Sequence, residues 1–172
     1  MMSTVKPRET TPSLDVDTLD GGRFSLDEQD PEAFTMVVFY RGLHCPVCKK
    51  YLGELDRLHD DFRGQGVEVI AVSGDTKERA LEAREKWSLE SVPIGYGLEI
   101  EKMREWGLFV SRGDGEEEPE LYGEPGLFLI QPNETVYYEA INSMPFGRPE
   151  LREMLAAVGN VKEMGTPAHG EA

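Results

Sequence analysis

The run Thr35-Met36-Val37-Val38-Phe39-Tyr40 is separated by only four residues from Cys45-Pro46-Val47-Cys48, and this junction constrains the chain more than any other feature. The run is β-branched and aromatic, with the length of a strand buried on both faces in the middle of a mixed sheet. Beyond the cysteines, Leu52, Leu55, Leu58 and Phe62 recur at helical spacing until Gly64 and Gly66 end the pattern. Pro46 suits the first helical turn, where its missing N–H would be unpaired anyway. A dithiol is therefore predicted where a buried strand gives way to a helix.

That position has a chemical consequence. Backbone N–H groups at a helix N-terminus favour negative charge, so a thiolate there is stabilised. Cys45, at the very end, is expected to feel the effect most and to be the more accessible sulfur. Cys48 lies one turn in, within reach of a mixed disulfide on Cys45. Arg41, His44 and Lys49 add local positive charge that favours the thiolate further.

The chain has no other cysteine. A pair this close closes almost no loop, so it reads as reactive rather than as a structural staple. A closed zinc site needs four ligands, and beyond this pair the chain offers only His44, His59 and His169. His59 falls on the predicted helix and reads as a surface residue. No metal and no cofactor are expected.

The rest of the chain alternates strand and helix signals. Residues 1–13 are polar, contain Pro7 and Pro12, and read as a flexible leader. Leu14 to Leu26 predicts a small hairpin around Asp20-Gly21-Gly22. Val67 to Val72 is a second buried strand, and Ser73-Gly74-Asp75-Thr76 supplies a turn and an N-cap for a charged helix through Trp87. A short strand or an extended connection is expected over Ser91 to Tyr96, and a helix over Glu99 to Trp106. The stretch from Ser111 to Pro119 is acidic and Gly-rich, so it reads as a mobile surface loop. Leu127 to Gln131 and Thr135 to Ala140 flank Pro132-Asn133-Glu134 as an antiparallel hairpin. Pro149 opens a last helix with Leu151, Met154, Leu155 and Val158 on one stripe, and residues 163–172 read as a flexible tail.

This order predicts an α/β fold with a central mixed β-sheet flanked by helices: a parallel β-α-β crossover early, an antiparallel hairpin late, and an N-terminal hairpin extension. A single domain over residues 14–162 accounts for the whole pattern. Pro125, immediately before the strand at Leu127, predicts a cis peptide that would set its backbone against the dithiol.

The formal net charge of −15 argues against nucleic acid and anionic lipid as partners. No run of eighteen apolar residues is present, so a membrane span is not expected. The first fifteen residues lack the apolar centre of a signal peptide, and the expected location is cytoplasmic.

Phe39-Tyr40-Arg41-Gly42-Leu43-His44-Cys45-Pro46-Val47-Cys48 resembles the active-site stretch of the peroxiredoxin-like branch of the alkyl hydroperoxide reductase and thiol-specific antioxidant family. Glu124-Pro125-Gly126-Leu127-Phe128-Leu129-Ile130 and Ser143-Met144-Pro145-Phe146-Gly147-Arg148-Pro149 resemble further segments of it, and the similarity runs from about residue 14 to 162. The resemblance implies a thioredoxin-like fold and thiol-dependent reduction of peroxides. It also implies a peroxide or disulfide substrate, an external thiol reductant of thioredoxin or glutathione type, and a homodimer as an expected assembly.

The family pattern places a Pro, then a Thr or Ser four residues on, then the peroxide-reactive Cys three further. Laid on this sequence, it puts Arg41 at the Pro, Cys45 at the hydroxyl residue and Cys48 at the reactive Cys. The family's arginine would fall near Pro125, which leaves Arg41 or Arg148 as candidate replacements. Two mechanisms follow. In one, Cys48 attacks peroxide and Cys45 resolves the sulfenic acid. In the other, Cys45 attacks a partner's disulfide and Cys48 resolves the mixed species. A redox-regulated binding module without turnover is a third reading.

Overall fold

A computed structural model describes residues 5–172. The predicted hairpin is formed by β1 (Asp15–Thr18) and β2 (Arg23–Ser25), with Gly21 at a φ of 86° in the turn. The chain continues through β3 (Phe34–Phe39), α1 (Pro46–Gly64), β4 (Val67–Val72), α2 (Lys77–Lys86), β5 (Ile94–Tyr96) and α3 (Ile100–Glu105). It then forms β6 (Val110–Arg112), β7 (Leu121–Gly123), β8 (Gly126–Ile130), β9 (Val136–Ile141) and α4 (Leu151–Met164). Seven strands make one mixed sheet in the order β2-β1-β5-β4-β3-β8-β9, and β6 and β7 pair separately.

The strand run at 35–40 occupies the middle of this sheet, as its composition requires. All six residues of β3 are buried, parallel to β4 on one side and antiparallel to β8 on the other. Alternate residues enter different cores, because successive side chains of a strand point to opposite faces. Met36 and Val38 pack with Leu52, Leu55 and Phe62 of α1 and with Leu151 and Val158 of α4. Val37 and Phe39 pack on the other face with Met103, Trp106 and Phe128. There the rings of Phe39, Trp106 and Phe128 meet at 4.9 to 5.8 Å, each pair adding about 0.5–1.5 kcal/mol beyond simple burial.

The parallel crossover β3-α1-β4 and the antiparallel hairpin β8-β9 stand where the sequence predicts them. Thr76 caps α2, its Oγ1 accepting the Arg79 N–H at 3.3 Å. The segment at 111–119 differs from the reading as one loop, because Ser111 and Arg112 belong to β6 and pair with β7.

Within the leader, Val5 is buried, Arg8 N–H donates to Val136 O at 2.7 Å and Thr11 N–H to Glu134 O at 3.0 Å. Thr10 bridges Thr135, so this segment covers the start of the otherwise exposed edge of β9. The tail meets the same edge: Tyr137 donates to Thr166 O, and Arg8 Nε to Ala168 O. His59, read as a surface residue, is instead buried, with Nδ1 unpartnered, because α1 turns that position toward the core. No described helix is long and apolar enough to cross a membrane.

Candidate active site

Cys45 is the N-cap of α1 and Pro46 its first residue, so the dithiol sits where β3 ends and the helix begins. The Cys45 sulfur accepts the backbone N–H of Cys48 at 3.3 Å, the bond a capping side chain makes. The loop before it is held from the turn between β4 and α2. Asp75 Oδ2 accepts the Leu43 N–H at 2.9 Å, and Asp75 Oδ1 meets Arg79 Nε at 3.3 Å. Gly42, at a φ of 135°, lies so close that a Cβ would come within 2.6 Å of Asp75 Oδ1. Only glycine fits here.

Each sulfur has an arginine. Arg41 leaves the end of β3, donates to the Tyr122 hydroxyl, stacks over that ring at 4.7 Å, and pairs with Glu124 at 3.1 Å. Glu124 is buried and also accepts from Ser111 Oγ at 2.8 Å. Arg148 approaches from the segment before α4, and its Nη2 lies 2.9 Å from Cys48 Sγ. Its guanidinium sits 4.6 Å above the Tyr51 ring, while Nε and Nη1 are buried without partners. No carboxylate lies within 4 Å of it among the described residues, so Arg148 brings an uncompensated positive charge to the dithiol.

The two thiols are pushed in opposite directions. The hydrogen bond from the Cys48 thiol holds Cys45 down to about 6 against the opposing effect of burial, with the Cys48 N–H, Arg41 and Arg148 helping. Burial pushes Cys48 up, and the bond it donates to Cys45 adds to this, while Arg148 pulls the other way. Cys45 is thus the sulfur that gives up its proton more readily.

Several sequence expectations are corrected. Cys45 is not the accessible sulfur: it is 1% exposed and Cys48 0%, because both lie in the core packed between the sheet and α1 and α4. His44 adds no positive charge. Its ring packs on Tyr122 at 4.6 Å with both nitrogens buried and unpartnered, and burial followed by Arg41 lowers its pKa. Lys49 lies on the exposed face of α1. Every described peptide bond is trans, including that of Pro125, in keeping with the ordinary preference of X–Pro bonds. Pro125 nonetheless lines a small cavity with Tyr51 and Arg148.

Sequence reasoning missed Tyr51, Asp75, Tyr122 and Glu124. Tyr51 carried a local signal, since it follows Cys48 by three residues and so shares its helix face. The others carried none.

The comparisons with known proteins decide the family. The family model described as AhpC/TSA family matches residues 7–139. The chain belongs to the AhpC/TSA family. It is accordingly a thiol-dependent oxidoreductase of the peroxide-reducing type, with the thioredoxin-like fold of peroxiredoxins. Among solved structures it is similar to a mutant of the peroxiredoxin 6 of Arenicola marina, at 17% identity, a TM-score of 0.77, and 95% of this chain against 76% of that one. It is similar to the mitochondrial 2-Cys peroxiredoxin of Plasmodium falciparum at 18% identity, a TM-score of 0.75 and coverage of 93% and 98%. Peroxidoxin BcpB of Mycobacterium tuberculosis gives 16%, 0.72, 92% and 99%. At such identities these likenesses speak for the fold alone. No curated protein matches the chain.

Proposed function

We propose that this AhpC/TSA member reduces small hydroperoxides through a dithiol–disulfide cycle of Cys45 and Cys48, with Cys48 as the peroxide-reactive sulfur. The observation that carries this reading is the 2.9 Å contact of Arg148 with Cys48, by an arginine that has no carboxylate partner among the described residues. Glu124 stands beside Pro125, where the family arginine was expected, and is neutralised by Arg41. Arg148 is then the cation left to meet a reacting oxygen. Burial of both sulfurs favours a small oxidant over a protein disulfide.

Cys48 passes its proton to the Cys45 thiolate and becomes a thiolate itself beside Arg148. That thiolate attacks the terminal oxygen of ROOH; the S–O bond forms, the O–O bond breaks, and RO⁻ takes the proton from Cys45. Cys45, again a thiolate, attacks the Cys48 sulfenic acid, expelling hydroxide and closing the disulfide. An external thiol, of thioredoxin or glutathione type, returns the two electrons.

A second reading is supported by the depressed pKa of Cys45 at the helix N-cap: attack by Cys45 on an external disulfide. The two separate in one experiment. Hydrogen peroxide and an organic hydroperoxide are supplied to wild type, Cys45→Ser and Cys48→Ser, with sulfenic acid trapping, beside insulin disulfide reduction. Sulfenic acid in Cys45→Ser but not in Cys48→Ser supports Cys48 as the reacting sulfur. The reverse pattern, or insulin reduction without peroxide turnover, favours Cys45.

A further inference from the structure

Arg148 is held in an unusual way for a half-buried arginine. Among the described residues its planar group has no carboxylate to anchor it, and two of its three nitrogens find no partner. What fixes it is Tyr51. Cys48 and Tyr51 are three residues apart on α1 and face the same way, so the ring lies one turn below the sulfur. The guanidinium stacks on the ring at 4.6 Å, a cation–π contact, with one edge directed at Cys48 Sγ.

The same side chain also grips the backbone next to Arg148. The Tyr51 hydroxyl donates to Pro149 O at 2.6 Å, at the residue just before the α4 N-cap, Glu150. Burial pushes the Tyr51 pKa well up, so the hydroxyl remains a proton donor throughout the working pH range. On the other side, Asn142 Nδ2 closes the preceding turn onto Phe146 O and Gly147 O at 3.2 and 3.0 Å. Phe146 is 61% exposed, so packing of its own ring does little to anchor this segment.

We infer that Tyr51 is a positioning residue that sets the reactivity of Cys48 by holding Arg148 on it, as a stacking floor for the guanidinium and a clamp on the Pro149 carbonyl. Tyr51 does not touch the sulfur; it acts through Arg148. The inference rests on the reading that Cys48 chemistry matters to the cycle, but its test does not require peroxide turnover.

The test is the titration of Cys48, followed by its 13Cβ chemical shift in cysteine-labelled Cys45→Ser protein, with folding checked by near-UV circular dichroism. Removal of the cation makes the thiolate harder to form. Arg148→Met is expected to move the Cys48 titration upward by about one pH unit, a tenfold loss of thiolate at fixed pH. Tyr51→Leu should give a shift of similar size. Tyr51→Phe, which keeps the floor and loses the clamp, should give a smaller shift in the same direction. In the Arg148→Met background, Tyr51→Leu should add nothing, because its effect passes through the arginine. Tyr51→Leu and Tyr51→Phe that leave the titration where it was overturn the inference, as does a Tyr51→Leu shift that persists undiminished in the Arg148→Met background. Should the titrations behave as expected while peroxide forms sulfenic acid only on Cys45, the peroxide assignment fails and the positioning role stands.

Discussion

Arg148 reaches across 100 residues of sequence to place Nη2 2.9 Å from Cys48 Sγ, while Arg41, four residues before Cys45, is paired with Glu124. The arginine adjacent in sequence is neutralised by a buried acid, and the distant one carries the free charge.

This division predicts unequal mutants. Arg148→Met should slow reaction with hydrogen peroxide by about 10²-fold, the usual cost of removing one preorganised donor from a developing negative charge. Arg148→Lys should recover only part, since a point charge lacks the second donor of the fork. Stopped-flow peroxide consumption measures both; equal rates in wild type and Arg148→Met would remove Arg148 from the reaction.

Glu124→Gln should destabilise the protein by about 1–3 kcal/mol, because it leaves Arg41 half-buried beside a neutral amide. It should also move the Cys45 titration downward, as the released Arg41 charge acts on the sulfur. Urea unfolding and thiolate absorbance at 240 nm check the two effects, and an unchanged or raised Cys45 pKa contradicts the second.

The Cys45 pKa, about 6 against an ordinary 9.0, makes stability of the reduced protein depend on pH. Between these values the folded state holds fewer protons than the unfolded chain, so stability rises as pH rises through the window. The contribution is complete above about pH 9 and lost as pH falls through about 6. Denaturation of reduced wild type against Cys45→Ser at pH 5 to 9 tests this; parallel curves would show that Cys45 is not the depressed thiol.

Gly42→Ala should cost about 1–3 kcal/mol, since it forces an L side chain to a φ of 135° and drives a Cβ into Asp75. Asp75→Ala removes the acceptor of the Leu43 N–H and should loosen the turn that places the Cys45 cap. Both should raise the Cys45 pKa, read from the same absorbance titration. A destabilised protein whose Cys45 titrates as in wild type would confine these residues to a purely structural role.

Local sequence was enough to specify the strand–dithiol–helix junction, the parallel crossover and the late hairpin. These follow from local periodicity: a buried six-residue run, leucines at helical spacing, a proline at the first turn. It also identified both sulfurs and named Arg41 and Arg148 as candidate cations. It could not choose between them. That choice depends on Glu124 and Tyr122, which reach Arg41 only because the chain from β7 into β8 runs back beside β3, and on α4 bringing Arg148 over α1. Burial was hidden for the same reason. Helix position suggested an exposed Cys45, but exposure depends on what the rest of the chain folds over a site, and here tertiary packing covers both sulfurs. Periodicity reports which face of an element is apolar; distant charged side chains meet at a sulfur only through sheet order and helix packing, which no short stretch of sequence contains.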